Sequence, residues 1–191
     1  MSTQAHAMSN SLEQVPIIKL LAINSIEQTQ SQWCWAACGA MVAEYLLKKK
    51  VDQCTVANIY IKKFLAPSFS GDACLNPSNC NLPCQIDFLS GVYKLVNISS
   101  RLIPRPLSPN EIYRELYDYN RPIIAMIQYN NGAGHMLLLS GVHIQNTQDD
   151  IGIYVIDSRP NYSDGWIPYS ALKSAWGYGS WIYSWAELEG A

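Results

Sequence analysis

Long hydrophobic runs are missing from this 191-residue chain. No stretch approaches the ~18 apolar residues that a membrane-spanning helix needs, so no membrane association is expected. Charge is sparse and nearly balanced, with 13 Lys and Arg against 15 Asp and Glu. A nucleic-acid surface is built from a basic surplus, so that partner class is excluded. The lone basic run, Lys48-Lys49-Lys50, closes a predicted helix, where cations suit the C-terminal dipole, and it reads as a solvated helix end. Met1 to Asn10 has neither a basic n-region nor an apolar h-region, so no standard secretory signal is expected and residues 1–15 read as a flexible tail. Internal repeats and low-complexity blocks are also lacking.

What is present favours a packed core. Apolar residues make up 49% of the chain and charged residues 15%. The length suits one full-sized domain or two small lobes sharing a cleft. The six cysteines are Cys34, Cys38, Cys54, Cys74, Cys80 and Cys84. The last three are spaced C-x5-C-x3-C in a loop-like stretch, and a zinc site is not expected. With Cys34 set aside as a nucleophile and Cys38 as a helix-core residue, Cys54, Cys74, Cys80 and Cys84 remain. Two disulfides are expected among them, with the pairing open. Disulfides call for an oxidising destination. Without a standard signal, three readings stay open: a leading segment has been trimmed away, export follows a non-classical or specialised route, or the thiols stay reduced.

The order of elements is helical first and β second. Apolar spacing of three and four predicts helices over Trp35–Lys48, Thr55–Leu65 (with Thr55 as N-cap) and Pro83–Leu95. Arg101–Ser108, with two prolines, reads as a connector and a seam. Ser108-Pro109-Asn110-Glu111 is a capping box with proline at the first helical position, predicting a short helix to Tyr119. Beyond Arg121-Pro122, short apolar runs at 122–129, 135–142, 151–156, 165–169 and 181–188 read as strands joined by turns. The expected class is α+β. Residues 16–191 are expected to form a single domain, with a helical lobe about 30–100 and a β lobe about 120–188.

Thiol-based acyl transfer needs a thiolate, a base, a group that orients the base, and donors for the oxyanion. Cys34 stands where the polar stretch Gln28–Trp33 turns into an apolar helical run. Unpaired N–H groups and the helix dipole favour an anion there, and such a setting can lower a thiol from ~8.5 to about 3.5–7.5. Cys38, one turn further in, reads as core. His135 follows the glycine-rich turn Asn130–Gly134 and opens a strand, so it is the base candidate. His6 falls in the tail and His143 at the far end of the same strand. Asp157 ends the 151–156 strand; in a hairpin with the 135–142 strand it returns beside His135, where it could fix the tautomer. Asp164 precedes a glycine and reads as a turn residue. Gln28 is the oxyanion candidate, with the Cys34 N–H as its companion and Gln30 and Gln32 as competitors.

The joint pattern resembles the bacterial papain-like cysteine proteases, in particular the AvrRpt2-type and C39-like branch. The residues that carry the resemblance are Gln28, Trp33-Cys34-Trp35-Ala36-Ala37, Arg121-Pro122-Ile-Ile-Ala, Gly132-Ala-Gly-His135-Met-Leu-Leu-Leu-Ser-Gly141, Tyr154-Val-Ile-Asp157 and Trp181-Ile-Tyr. Gln53-Cys54 and Cys74–Cys84 look like the family's variable insert. The resemblance implies an active site between a helical lobe and an antiparallel β lobe, with Gln28, Cys34, His135 and Asp157 in the roles above. It implies a cysteine peptidase with no metal or organic cofactor, a monomer acting on a peptide or protein substrate, and a bacterial effector or toxin role with a host or inhibitor protein as a further partner. Many relatives read Asp-Pro after the strand, whereas this chain reads Asp157-Ser-Arg-Pro160. The same residues would also serve a transpeptidase or cyclase, a transglutaminase-like enzyme or a deamidase. An inert peptide-binding module, built on the chain's twelve tyrosines and six tryptophans, is the non-enzymatic alternative.

Overall fold

The computed structural model describes residues 16–144 and 151–191. The expected tail, His6 and the polar turn at 145–150 lie outside them. The first strand, β1 (Ile17–Leu20), leads through a polar segment into helix α1 (Cys34–Leu47). Helix α2 (Gln53–Tyr60) continues into a wider π-type turn, Ile61–Leu65. A cysteine-bearing loop then leads to α3 (Ile86–Leu95) and β2 (Ile98–Ile103). After α4 (Pro109–Tyr113) come β3 (Ile123–Tyr129), β4 (Gly134–Ile144), β5 (Gly152–Ile156), β6 (Gly165–Pro168), α5 (Tyr169–Lys173) and β7 (Gly179–Gly190).

The described strands form one antiparallel sheet in the order β2-β7-β3-β4-β5-β6, with β1 pairing the far end of β4. Alternation along the strands divides two cores. On one face Ile124, Met136, Leu138, Ile156 and Trp185 pack against the helices. On the other, Ile123, Ala125, Ile127, Leu137, Leu139 and Val155 pack against α5 and Trp181. From Trp35 to Ala43, α1 is buried on every side, as expected of a helix rich in alanine and apolar residues at the centre of a domain. Gly39 permits its close contact with α3, because a Cβ there would lie 2.7 Å from Tyr93 Cε1.

The α+β order is as expected, and the Ser108–Glu111 capping box is present with both of its hydrogen bonds. Several local expectations need correction. The N-cap of α2 is Asp52, not Thr55. Arg101–Ile103 is not connector but the end of β2, in which Ser99 and Arg101 are exposed while Ile98 and Ile103 are buried. Only one of the expected disulfides forms among the described cysteines: Cys54 pairs with Cys74, while Cys80 and Cys84 are free thiols. Cys80 is buried against Gly71. Cys84 faces α1, where burial, reinforced by Cys34, pushes its thiol up to about 12.

Candidate active site

The start of α1 carries no side-chain cap and no acidic residue in its first turn. Its first intrahelical bond runs from the Ala37 N–H to the Trp33 carbonyl. The positive end of the helix is therefore left to whatever sits beside Cys34. Cys34 is half-buried, whereas its neighbours Trp33 and Trp35 are almost wholly enclosed. The two indoles hold the position. Trp33 Nε1 donates to the Cys80 carbonyl at 3.0 Å, and Trp35 Nε1 donates to the Leu82 carbonyl at 3.1 Å. Tyr93 reaches across from α3 to donate to the Trp35 carbonyl at 2.9 Å.

His135 opens β4 and pairs with Ile127 of β3. Its Nε2 lies 2.8 Å from Asp157 Oδ1. The Cys34 thiol lies near enough to the imidazole to act on its charge, and Nδ1 is the ring nitrogen that Asp157 leaves free. Burial disfavours charge on His135, but the bond to Asp157 and the nearby Cys34 thiol more than offset it, and its pKa is raised. Burial likewise opposes charge on Asp157, yet the bonds from His135 and Arg159 hold its carboxyl well below the usual carboxylate range. An ionised carboxylate can only accept, so Nε2 carries the hydrogen and Nδ1 is free to take a proton from the thiol.

Gln28 is buried, and its backbone N–H donates to the Ser158 carbonyl at 2.6 Å. Its side-chain Oε1 accepts from the Ser158 hydroxyl at 3.0 Å. Its Nε2 donates to the Gln30 and Ser31 carbonyls, both at 3.0 Å. The amide thus ties the segment before α1 to the residue after Asp157, and both of its hydrogens already have acceptors. Gln32 is exposed, with its backbone N–H on Asn81 Oδ1.

The structure brings Cys34, His135 and Asp157 together, with Gln28 joined to them through Ser158. His143 stands at the other end of β4, its ring edge-on to Trp166. Cys38 is fully buried, and burial, Cys34 and Asp157 raise its thiol well above the ordinary value. Asp164 does more than turn the chain: its Oδ1 accepts the Asp157 N–H at 3.1 Å. Beside Asp157 and Arg159 lies a cavity of about 620 Å³ lined by Tyr129, Tyr162, Trp176 and Tyr178.

Residues 19–165 match the family of the papain-like cysteine protease AvrRpt2. The chain belongs to that family. This cysteine peptidase is similar in fold to a putative C39-like peptidase from Bacillus anthracis, with a TM-score of 0.57 at 17% identity, covering 92% of this chain and 100% of that one. A double-glycine-motif protease from an AMS/PCAT transporter, solved in complex with a leader peptide, aligns with a TM-score of 0.48 at 15% identity, over 88% of this chain and 94% of that one. No curated protein matches the peptidase. The mixed helix and antiparallel-sheet architecture is that of papain-like and C39-type peptidases.

Sequence reasoning missed the partners that hold these side chains. Ser158 and Arg159 read as turn residues; the signal that could have found them is their position directly after Asp157. The tryptophans flanking Cys34 entered only as part of the resemblance, and their N–H groups, which need acceptors once buried, were the available hint. Gln53 was read only as part of an insert. It braces the approach to α1 by accepting the Thr29 N–H at 3.1 Å and donating to the Glu27 carbonyl at 2.7 Å.

Proposed function

We propose that this peptidase hydrolyses peptide bonds through a thioester on Cys34, with His135 as the proton carrier, Asp157 as its orienting group and Gln28 at the oxyanion. The observation that carries the reading is the imidazole held by Asp157 Oδ1 at 2.8 Å, with the Cys34 thiol beside it at an uncapped helix start. His135 takes the thiol proton, and the Cys34 sulfur attacks the scissile carbonyl carbon. The oxyanion draws on the Cys34 N–H at the first position of α1 and on the Gln28 amide, which exchanges one of its two carbonyl acceptors for the substrate. His135 then returns its proton to the leaving amine as the C–N bond breaks. Water, losing a proton to His135, attacks the thioester and releases the acid, and the thiol is restored.

Cys34→Ala is expected to abolish peptide cleavage and covalent labelling by iodoacetamide, with cleavage products of the parent heavier in sum by one water on mass spectrometry. Cleavage by Cys34→Ala at the parental rate would sink the assignment. Products joined to an added amine, or a deamidated side chain with an intact backbone, would move the reading to transpeptidation or deamidation on the same residues.

A further inference from the structure

Asp157 needs more than a histidine to stay ionised and aimed, because its side chain is only 8% exposed. Its terminal torsion is of the broad kind that packing or hydrogen bonds must fix. Arg159, two residues on, supplies what is missing. Its Nε lies 3.1 Å from both carboxylate oxygens, its Nη2 lies 2.6 Å from Oδ2, and its backbone N–H donates to Oδ1 at 3.0 Å. The carboxylate is thus gripped in the plane of the fork, with Oδ1 turned to His135 Nε2. Such fork contacts are directional as well as strong.

The fork is itself held in place. The guanidinium lies over the Tyr162 ring at 3.6 Å from its centroid, and Tyr129 at the end of β3 lines the same cavity. An arginine with a partner in its plane and a ring against its face has little freedom left to lose. Its charge also matters. An imidazole facing a lone buried carboxylate would hold a proton too firmly to pass it to a leaving amine, and a guanidinium on the far side of that carboxylate shares the negative charge.

We propose that Arg159 is a positioning residue for the peptidase reaction, fixing the Asp157 carboxylate with Oδ1 toward His135 and drawing its charge away from the imidazole. The inference rests on the Cys34, His135 and Asp157 reading above. Arg159 lies in the Ser158-Arg159-Pro160 stretch that directly follows Asp157 at the end of β5. The other titratable groups that face the pair are Cys34 and Cys38 from α1, Tyr129 from β3, and Tyr162 and Asp164 from the turn after β5.

The test combines turnover of a fluorogenic peptide, chosen from a library cleavage profile, with a pH titration of the 15N-labelled His135 imidazole by NMR. Arg159→Met is expected to lower kcat by about 10²-fold, the loss that small misplacement of a reacting group causes, while KM moves far less. The His135 titration should shift to higher pH, since a positive charge has been removed. Arg159→Lys, which keeps the charge but not the fork, should lose kcat with the His135 titration close to the parent's. Added guanidinium at non-denaturing concentration should restore part of the turnover of Arg159→Ala. Parental kcat and titration in Arg159→Met and Arg159→Lys, while Asp157→Asn is inactive, would overturn the proposal and leave the catalytic reading intact. A lowered kcat with an unmoved titration and no rescue would also overturn it, as a merely structural effect. Parental turnover by Asp157→Asn and Cys34→Ala would instead remove the reading beneath it. If Arg159→Met does not fold, Arg159→Lys and the guanidinium rescue decide the matter.

Discussion

A buried carboxylate beside a histidine contributes most to folding while both are ionised, which gives the pair a pH window. Asp157 has a lowered pKa, so its stabilising effect is present above the ordinary value near ~3.9 and is lost as pH falls through the lowered one. His135 has a raised pKa, so its effect is full below the ordinary ~6.5 and is lost as pH rises through the raised value. The pair is therefore worth most between pH ~4 and ~6.5. Asp157→Asn is expected to cost about 1.5–3 kcal/mol in that window, the range for hydrogen bonds to charged groups. Urea unfolding of parent and variant across pH should show the gap narrowing on both sides, though on the alkaline side Arg159 keeps part of it. A gap flat across pH would show that Asp157 is not coupled to His135 in the folded state.

Among the elements, the loop between α2 and α3 bears directly on the nucleophile. Cys54–Cys74 ties its first part to α2 across a separation of 20 residues. Its later part accepts the Trp33 and Trp35 indole N–H groups at Cys80 and Leu82, and Asn81 takes the Gln32 N–H while donating to the Ser31 hydroxyl at 2.9 Å. The loop is thus a wall held at one end by a covalent bond and at the other by the residues around Cys34. Replacing Cys54 and Cys74 together with serine is expected to lower stability by about 3 kcal/mol, as for a bridge closing a loop of this order. Iodoacetamide labelling of Cys34 should change with it, as the wall loosens. An unchanged melting temperature and labelling rate would show that the wall stands without the bridge.

This wall also marks how far the sequence can be read. Cys34, His135 and Asp157 were legible because each lies at the boundary of an element with strong local signals: an apolar helix start, a glycine-rich turn, and a strand end. The Ser108–Glu111 capping box was legible because all of its partners lie within four residues. The indole bonds, the choice of Cys54–Cys74 and the freedom of Cys80 and Cys84 depend on contacts between distant segments, which leave no local pattern. β1 has only four residues, and Ser99, Ser100 and Arg101 break the apolar reading of β2. Arg159 was passed over because an arginine beside a proline is also what a solvated turn contains.

At the scale of the molecule, β7 joins what the sequence suggests as two lobes. It pairs with β2 from the helical half on one side and with β3 on the other. Trp185 stands opposite Ile124 and Leu102 in those pairings, is fully buried, and donates through Nε1 to Ser90 Oγ of α3 at 3.1 Å. Trp185→Ala is expected to cost about 3–5 kcal/mol, as for other buried aromatic residues cut to alanine. Far-UV circular dichroism and tryptophan fluorescence should follow one coincident unfolding transition in the parent, as for a single cooperative domain. Two separate transitions would show that the helical and β halves fold apart.

Strand β7 also decides when the peptidase can become competent as it is made. The cysteine helix and the histidine strand are both synthesised well before Gly179–Gly190, and until those residues emerge β2 and β3 each present an open edge. Arg121, just ahead of β3, has Glu115 at 4.0 Å as one ion-pair partner and gains Glu189 near the end of β7 as its second. A ribosome-bound chain therefore carries a nucleophile and a base without the strand that holds their scaffolds together, so that cutting activity is expected to arrive only as synthesis of β7 finishes.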